Sequence, residues 1–158
     1  MAQLQFAKEG ILLKVLQDIG DNDARTQSVE LAGSVVWKAK SVSLTTSLAD
    51  ALLSNTKVTA LNLSDTNLVD SALISLAEAI KFNGTLYDLK LANNKVGRTG
   101  LVHLAGCLAT NTGLMTLDLL GHRINSEVAS AFVEMFKVSA PRHVHPAPAP
   151  PPPIMCVL

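Results

Sequence analysis

Asn55, Asn83 and Asn111 lie 28 residues apart. The apolar positions around them recur in step: Val58, Leu61, Leu63 and Leu68 are followed by Leu86, Leu89, Leu91 and Val96, then by Leu114, Leu117, Leu119 and Ile124. A unit this short cannot bury its apolar face alone, so the period predicts a stack in which each unit covers its neighbour. Between the strand-like segments the apolar spacing changes from 2 to about 3.6 residues. Leu48, Leu76, Leu104 and Phe132 are equivalent, as are Leu52, Ile80, Leu108 and Phe136, and together they define one buried helical stripe. Ala51, Ala79, Cys107 and Met135 fall between them, mostly small where helix meets sheet. Helices are predicted at about 44 to 54, 72 to 82, 100 to 110 and 127 to 138, with Ser71, Thr99 and Ser126 accepting hydrogen bonds near their starts.

The repeated asparagine follows each of the first three helices, where the chain reverses. Asn55, Asn83 and Asn111 are read as turn formers in a left-handed backbone conformation. A second repeated position holds Thr66, Asn94 and His122, whose side chains are expected to bond backbone groups of the ascending loop. Upstream, Val29 and Leu31 repeat the strand core 32 residues before Leu61 and Leu63, as a longer terminal unit would. The predicted organisation is a capping helix in residues 1–22, a repeat domain in 23–139 and a proline-rich disordered tail in 140–158. Trp37, in the loop of the first unit, is assigned to packing.

The repeated string matches the leucine-rich repeat, L-x-x-L-x-L-x-x-N-x-L, in a length that resembles the ribonuclease-inhibitor type. That resemblance implies an α/β fold: a right-handed solenoid of about four units, with a short parallel sheet inside and helices outside.

Composition narrows the partners. Thirteen basic and thirteen acidic side chains cancel, so the chain lacks the field that a nucleic-acid or anionic-membrane binder uses. The segment MAQLQFAKEG is not a basic leader and Lys14 interrupts the apolar run after it, so no signal or membrane span is expected and the location is read as cytoplasmic. The triplets beginning at Asn62 and Asn83 are then not glycosylated. Cys107 and Cys156, the two cysteines, read as reduced.

Catalytic constellations are not found. His103 sits on a helix, His122 on a loop and Cys107 in the buried stripe, so no nucleophile, base and orienting group are expected to converge. His143 and His145 are two ligands short of a tetrahedral shell, and Gly97 to Gly100 lacks the lysine of a phosphate loop. Neither a cofactor nor a metal is expected.

Recognition must then lie on surface. Alternate strand residues point outward onto a concave wall, which assigns Ser28, Glu30 and Ala32; Ala60, Asn62 and Ser64; Asp88, Lys90 and Ala92; Thr116, Asp118 and Leu120 to neighbouring rungs. The loop edge, with Asp65, Lys95, Arg98, His122 and Arg123, is the rival surface. The last strand, about Met115 to Leu119, ends in an open edge, because nothing after Val138 resembles another strand; either the tail folds back over it or two chains form a homodimer there. Residues 146–153 contain six prolines, including Pro150, Pro151, Pro152 and Pro153, and predict an extended polyproline II segment that serves as a spacer or a docking peptide.

LQDIGDND, LADALLSNTKVTALNLSDT and LAEAIKFNGTLYDLKLANNKV, with a looser final unit, resemble the C-terminal leucine-rich domain of tropomodulin and leiomodin across roughly residues 11 to 138. The resemblance implies a non-catalytic cytoskeletal module that binds actin at filament pointed ends, through loop residues matching 65 to 68 and 93 to 98. Tropomodulins also bind tropomyosin and actin through a long N-terminal half, where this chain has a short helix. Leiomodins follow their repeats with prolines, as here, but then place an actin-binding helix that this chain lacks. Its tail suits profilin or another polyproline-binding domain. Two other readings use the same fold: a scaffold or adaptor without actin binding, and a regulator of a small GTPase or an enzyme.

Overall fold

The computed structural model describes residues 2–139 and 155–157. A helix, α1 (Ala2–Gly20), leads into β1 (Ser28–Glu30), α2 (Val35–Ala39) and α3 (Ser41–Ser54). Three further units follow: β2 (Ala60–Asn62) with α4 (Asp70–Phe82), β3 (Asp88–Lys90) with α5 (Arg98–Leu108), and β4 (Thr116–Asp118) with α6 (Ser126–Ser139). A last strand, β5 (Met155–Val157), completes a parallel sheet in the order β1-β2-β3-β4-β5. Val29, Leu61, Leu89 and Leu117 are in register across β1 to β4 and all are buried. Each such leucine contributes on the order of 2 kcal/mol by leaving water, and the rows Leu63, Leu91, Leu119 and Leu48, Leu76, Leu104 extend the same core. The repeat therefore folds as an α/β solenoid with its helices on one side of the sheet.

Asn55 and Asn83 have extended backbones, at φ −76° and −83°, and neither they nor Asn111 has a positive φ. This corrects the expected left-handed turn. What the position requires is a buried amide side chain. Asn83 Nδ2 donates to the carbonyls of Leu52 and Asn55 at 2.8 and 3.0 Å, while its Oδ1 accepts from the amides of Thr85 and Leu86 at 2.9 and 3.0 Å. Asn111 repeats this one unit later, donating to Ile80 and Asn83 and accepting from Gly113 and Leu114. Asn55 begins the series by donating to the Ile19 carbonyl near the end of α1. At Asn83 and Asn111 both amide hydrogens and the carbonyl oxygen are thus satisfied out of contact with water, a donor and acceptor set that a short amide side chain supplies. Beside this ladder the turns nearly touch: a Cβ on Gly113 would lie 2.6 Å from the Gly84 carbonyl oxygen.

Apart from Asn22 beyond α1, the left-handed residues among those described lie after the strands. Gly33, Asp65, Asn93 and Gly121, equivalent in the repeat, have φ of 66°, 53°, 55° and 85°. The amides of the first three donate to Ser64, Ala92 and Leu120, carrying the parallel ladder one step into the loop. Asn94 crosses between units as expected: its Oδ1 accepts from the Thr66 and Leu68 amides, and its Nδ2 donates to Leu63 and Leu91. His122 keeps only the local part, Nδ1 meeting the Leu119 carbonyl at 2.9 Å, and its buried Nε2 has no hydrogen-bond partner among the described residues.

Several other expectations change. The helices begin earlier than predicted, so Ser71 and Thr99 lie inside their helices and are not caps. Asn125, not Ser126, accepts from the Val128 amide at the start of α6. Trp37 is fully buried, as a packing residue should be, but belongs to α2, and its Nε1 donates to Thr45 Oγ1 at 3.2 Å. Phe136 is 37% exposed although its equivalents Leu52, Ile80 and Leu108 are fully buried, because no further helix packs beyond α6 among the described residues. Ala92 is buried rather than outward, since strand alternation ends at Lys90. β5 is a strand that the sequence reading does not contain; the Met155 amide donates to Met115, pairing the outer edge of β4 from within the same chain.

Candidate functional site

Strand pleat and left-handed turns place the outward side chains in two adjoining strips. On the concave wall, Glu30 accepts from Asn62 Nδ2 at 2.8 Å, and Asn62 Oδ1 in turn accepts from the Ser64 amide. The next rung carries Asp88 and Lys90, whose charged groups lie 3.8 Å apart, with the buried Asp88 Oδ1 lacking a hydrogen-bond partner among the described residues. Asp118 Oδ1 accepts from the Leu120 amide, which leaves Leu120 exposed at the strand end. Three carboxylates and one ammonium give this wall a mild acidic bias. Met155, in register with Thr116, adds an exposed apolar side chain at the far end.

The loop edge alternates in sign. Asp65 holds Lys38 of the preceding unit at 2.7 Å, and Arg98 holds Glu127 of the following unit at 2.6 Å. Lys95 and Arg123 are exposed on the same side, and the Lys95 amide donates to Leu68. The structure thus brings Asp65, Lys95, Arg98 and Arg123 to one edge and Glu30, Asn62, Asp88, Lys90 and Asp118 to the adjoining wall. Pro150, Pro151, Pro152, Pro153, His143 and His145 lie outside the described residues. A third surface feature was not foreseen: an apolar groove between α1 and the loop after β1, lined by Ile11, Leu12, Val15, Leu31, Val35 and Val36.

One chemical grouping also escaped the sequence reading. His103 Nε2 lies 2.7 Å from Glu78 Oε1, and Cys107 Sγ lies 3.6 Å from the same oxygen. The signal was present, since His103 and Cys107 are four apart on α5 and so share a face, but Glu78 enters from α4. The His103 hydrogen bond holds the Glu78 carboxyl below its ordinary value. Burial, and then the Glu78 charge, push the Cys107 thiol up to about 11. At neutral pH that thiol is protonated and a poor nucleophile. Among the described residues no helix is long and apolar enough to cross a membrane.

The architecture is similar to that of leiomodin-1 actin-binding site 2, with a TM-score of 0.70, 22% identity and coverage of 80% of this chain and 70% of that one. It is likewise similar to the tropomodulin C-terminal domain of Caenorhabditis elegans, with a TM-score of 0.72, 15% identity and coverage of 80% and 76%. These likenesses establish a shared fold. No family model matches the sequence, and no curated protein matches it.

Proposed function

We propose that this chain is a non-catalytic protein-interaction module of the actin cytoskeleton, docking through the loop edge that carries Asp65, Lys95, Arg98 and Arg123, with the concave wall as its flank. The observation that carries the reading is the fold likeness to leiomodin-1 actin-binding site 2, which spans four-fifths of the chain. The surface chemistry supports it. An edge of alternating charges held by Lys38–Asp65 and Arg98–Glu127 pairs suits a large polar protein partner better than a small apolar ligand. On this reading the chain works beside actin filaments in the cytoplasm, and its proline segment recruits a polyproline-binding domain such as profilin.

Co-sedimentation with filaments, and pointed-end elongation measured at tens of micromolar protein, test the proposal. Binding should weaken in a Lys95→Glu, Arg98→Glu double variant that keeps its thermal stability. An absence of binding by the unaltered chain at those concentrations abandons the actin reading and leaves the adaptor reading.

A further inference from the structure

The repeat supplies its own control for the outer helices. One 28-residue step relates Asp50, Glu78 and Gly106; the residues 25 and 29 positions later are Ser75 and Ala79, His103 and Cys107, and Ala131 and Met135. Only the α4–α5 pair carries a metal-ligating side chain at all three places. Packing does not demand them, because the neighbouring units fill the same positions with serine, alanine and methionine.

We propose that Glu78, His103 and Cys107 bind one divalent transition-metal ion, zinc foremost, on the outer helical face, with water in the fourth position. A sulfur, a nitrogen and an oxygen form a donor set that zinc accepts readily, whereas calcium and magnesium take oxygen. The three donor atoms lie within 4.8 Å of one another. Bond lengths to tetrahedral zinc imply separations of about 3.6 Å for a sulfur and oxygen pair and about 3.4 Å for a nitrogen and oxygen pair. Cys107 Sγ and Glu78 Oε1 are already 3.6 Å apart. His103 Nε2 and Glu78 Oε1, at 2.7 Å, must separate by roughly 0.7 Å. That is a small movement, because a proton now holds these two atoms together and the metal takes its place. Glu78 and His103 are the exposed and half-exposed members and can adjust, while Cys107 is buried and fixes the floor of the site.

Charge balances as well. Carboxylate, thiolate and neutral imidazole around a divalent ion sum to zero, which suits a half-buried position. Binding releases the Cys107 thiol proton to solvent, and a second proton wherever His103 is charged; no oxidant or reductant takes part.

Cobalt(II) is the probe, added to the reduced chain of residues 1–158 carrying Cys156→Ser so that Cys107 is its one thiol. Binding of one equivalent should give a thiolate-to-cobalt charge-transfer band with tetrahedral visible absorption, and zinc should displace it. Cys107→Ala, which installs the residue found at positions 51 and 79, should abolish the band. His103→Gln should weaken affinity by at least about 100-fold, since losing an outer partner alone costs 10- to 100-fold. Zinc should raise the melting temperature of the unaltered chain and not that of the His103→Gln variant. No thiolate band in the Cys156→Ser protein, or an unchanged cobalt affinity in His103→Gln, overturns the proposal and leaves the trio as a histidine–glutamate pair over an inert thiol.

Discussion

Asn83 makes four hydrogen bonds to backbone, two toward the preceding unit and two within its own turn, and its Oδ1 also accepts from the Thr85 hydroxyl. Asn83→Ala should therefore cost about 3 kcal/mol, because buried backbone groups on both sides are left without partners. A urea titration that finds under about 1 kcal/mol, the net worth of one ordinary hydrogen bond, contradicts this account of the ladder. The opposite change is available at His122, which cannot offer the oxygen that Asn94 presents to Thr66 and Leu68 and whose buried Nε2 lacks a partner among the described residues. His122→Asn should stabilise the protein by about 1 kcal/mol, read as a higher urea midpoint at unchanged slope. Spacing alone marked Asn55, Asn83 and Asn111 as structural. It could not show whether backbone or side chain used the position, because a left-handed turn and a doubly bonded amide both favour asparagine. The Glu78, His103 and Cys107 grouping was hidden for a related reason: two members share a helix face, but the third depends on which helix packs alongside.

Elements were legible where periodicity is strong. Four helices and the strand cores of the central units follow directly from leucine spacing, and their ends do not, since capping depends on a single loop residue such as Asn125. α2 escaped notice because five residues are too few to show a period. β5 escaped because a three-residue strand, Met155–Val157, leaves little pattern in the sequence. Its place has a measurable consequence. A chain ending at residue 154 would leave the outer edge of β4 unpaired, and open edges recruit other strands. Such a truncation should self-associate with rising concentration in sedimentation velocity, while the full chain does so less; equal behaviour would remove any edge-covering role for β5.

At the scale of the whole molecule, units packed only on their neighbours have stability that is distributed, with the ends weaker than the middle. α4 and β3 are flanked on both sides, whereas α6 leaves Val133 and Phe136 partly open. Amide hydrogen exchange should be slowest around Leu89 and Leu91 and fastest in α6, and uniform protection would mean that the array opens as one body. Repetition leaves outward side chains free to vary, so the period carries little information on the proposed docking residues Asp65, Lys95, Arg98 and Arg123. Asn94, on the loop edge itself, bears on recognition from beneath the surface, because it ties the loop after β3 to Thr66, Leu68 and Leu63 of the preceding unit. Loops pinned between units by such an amide have little freedom left to lose on association, so whatever docks against them meets a preorganised surface and pays a small ordering cost.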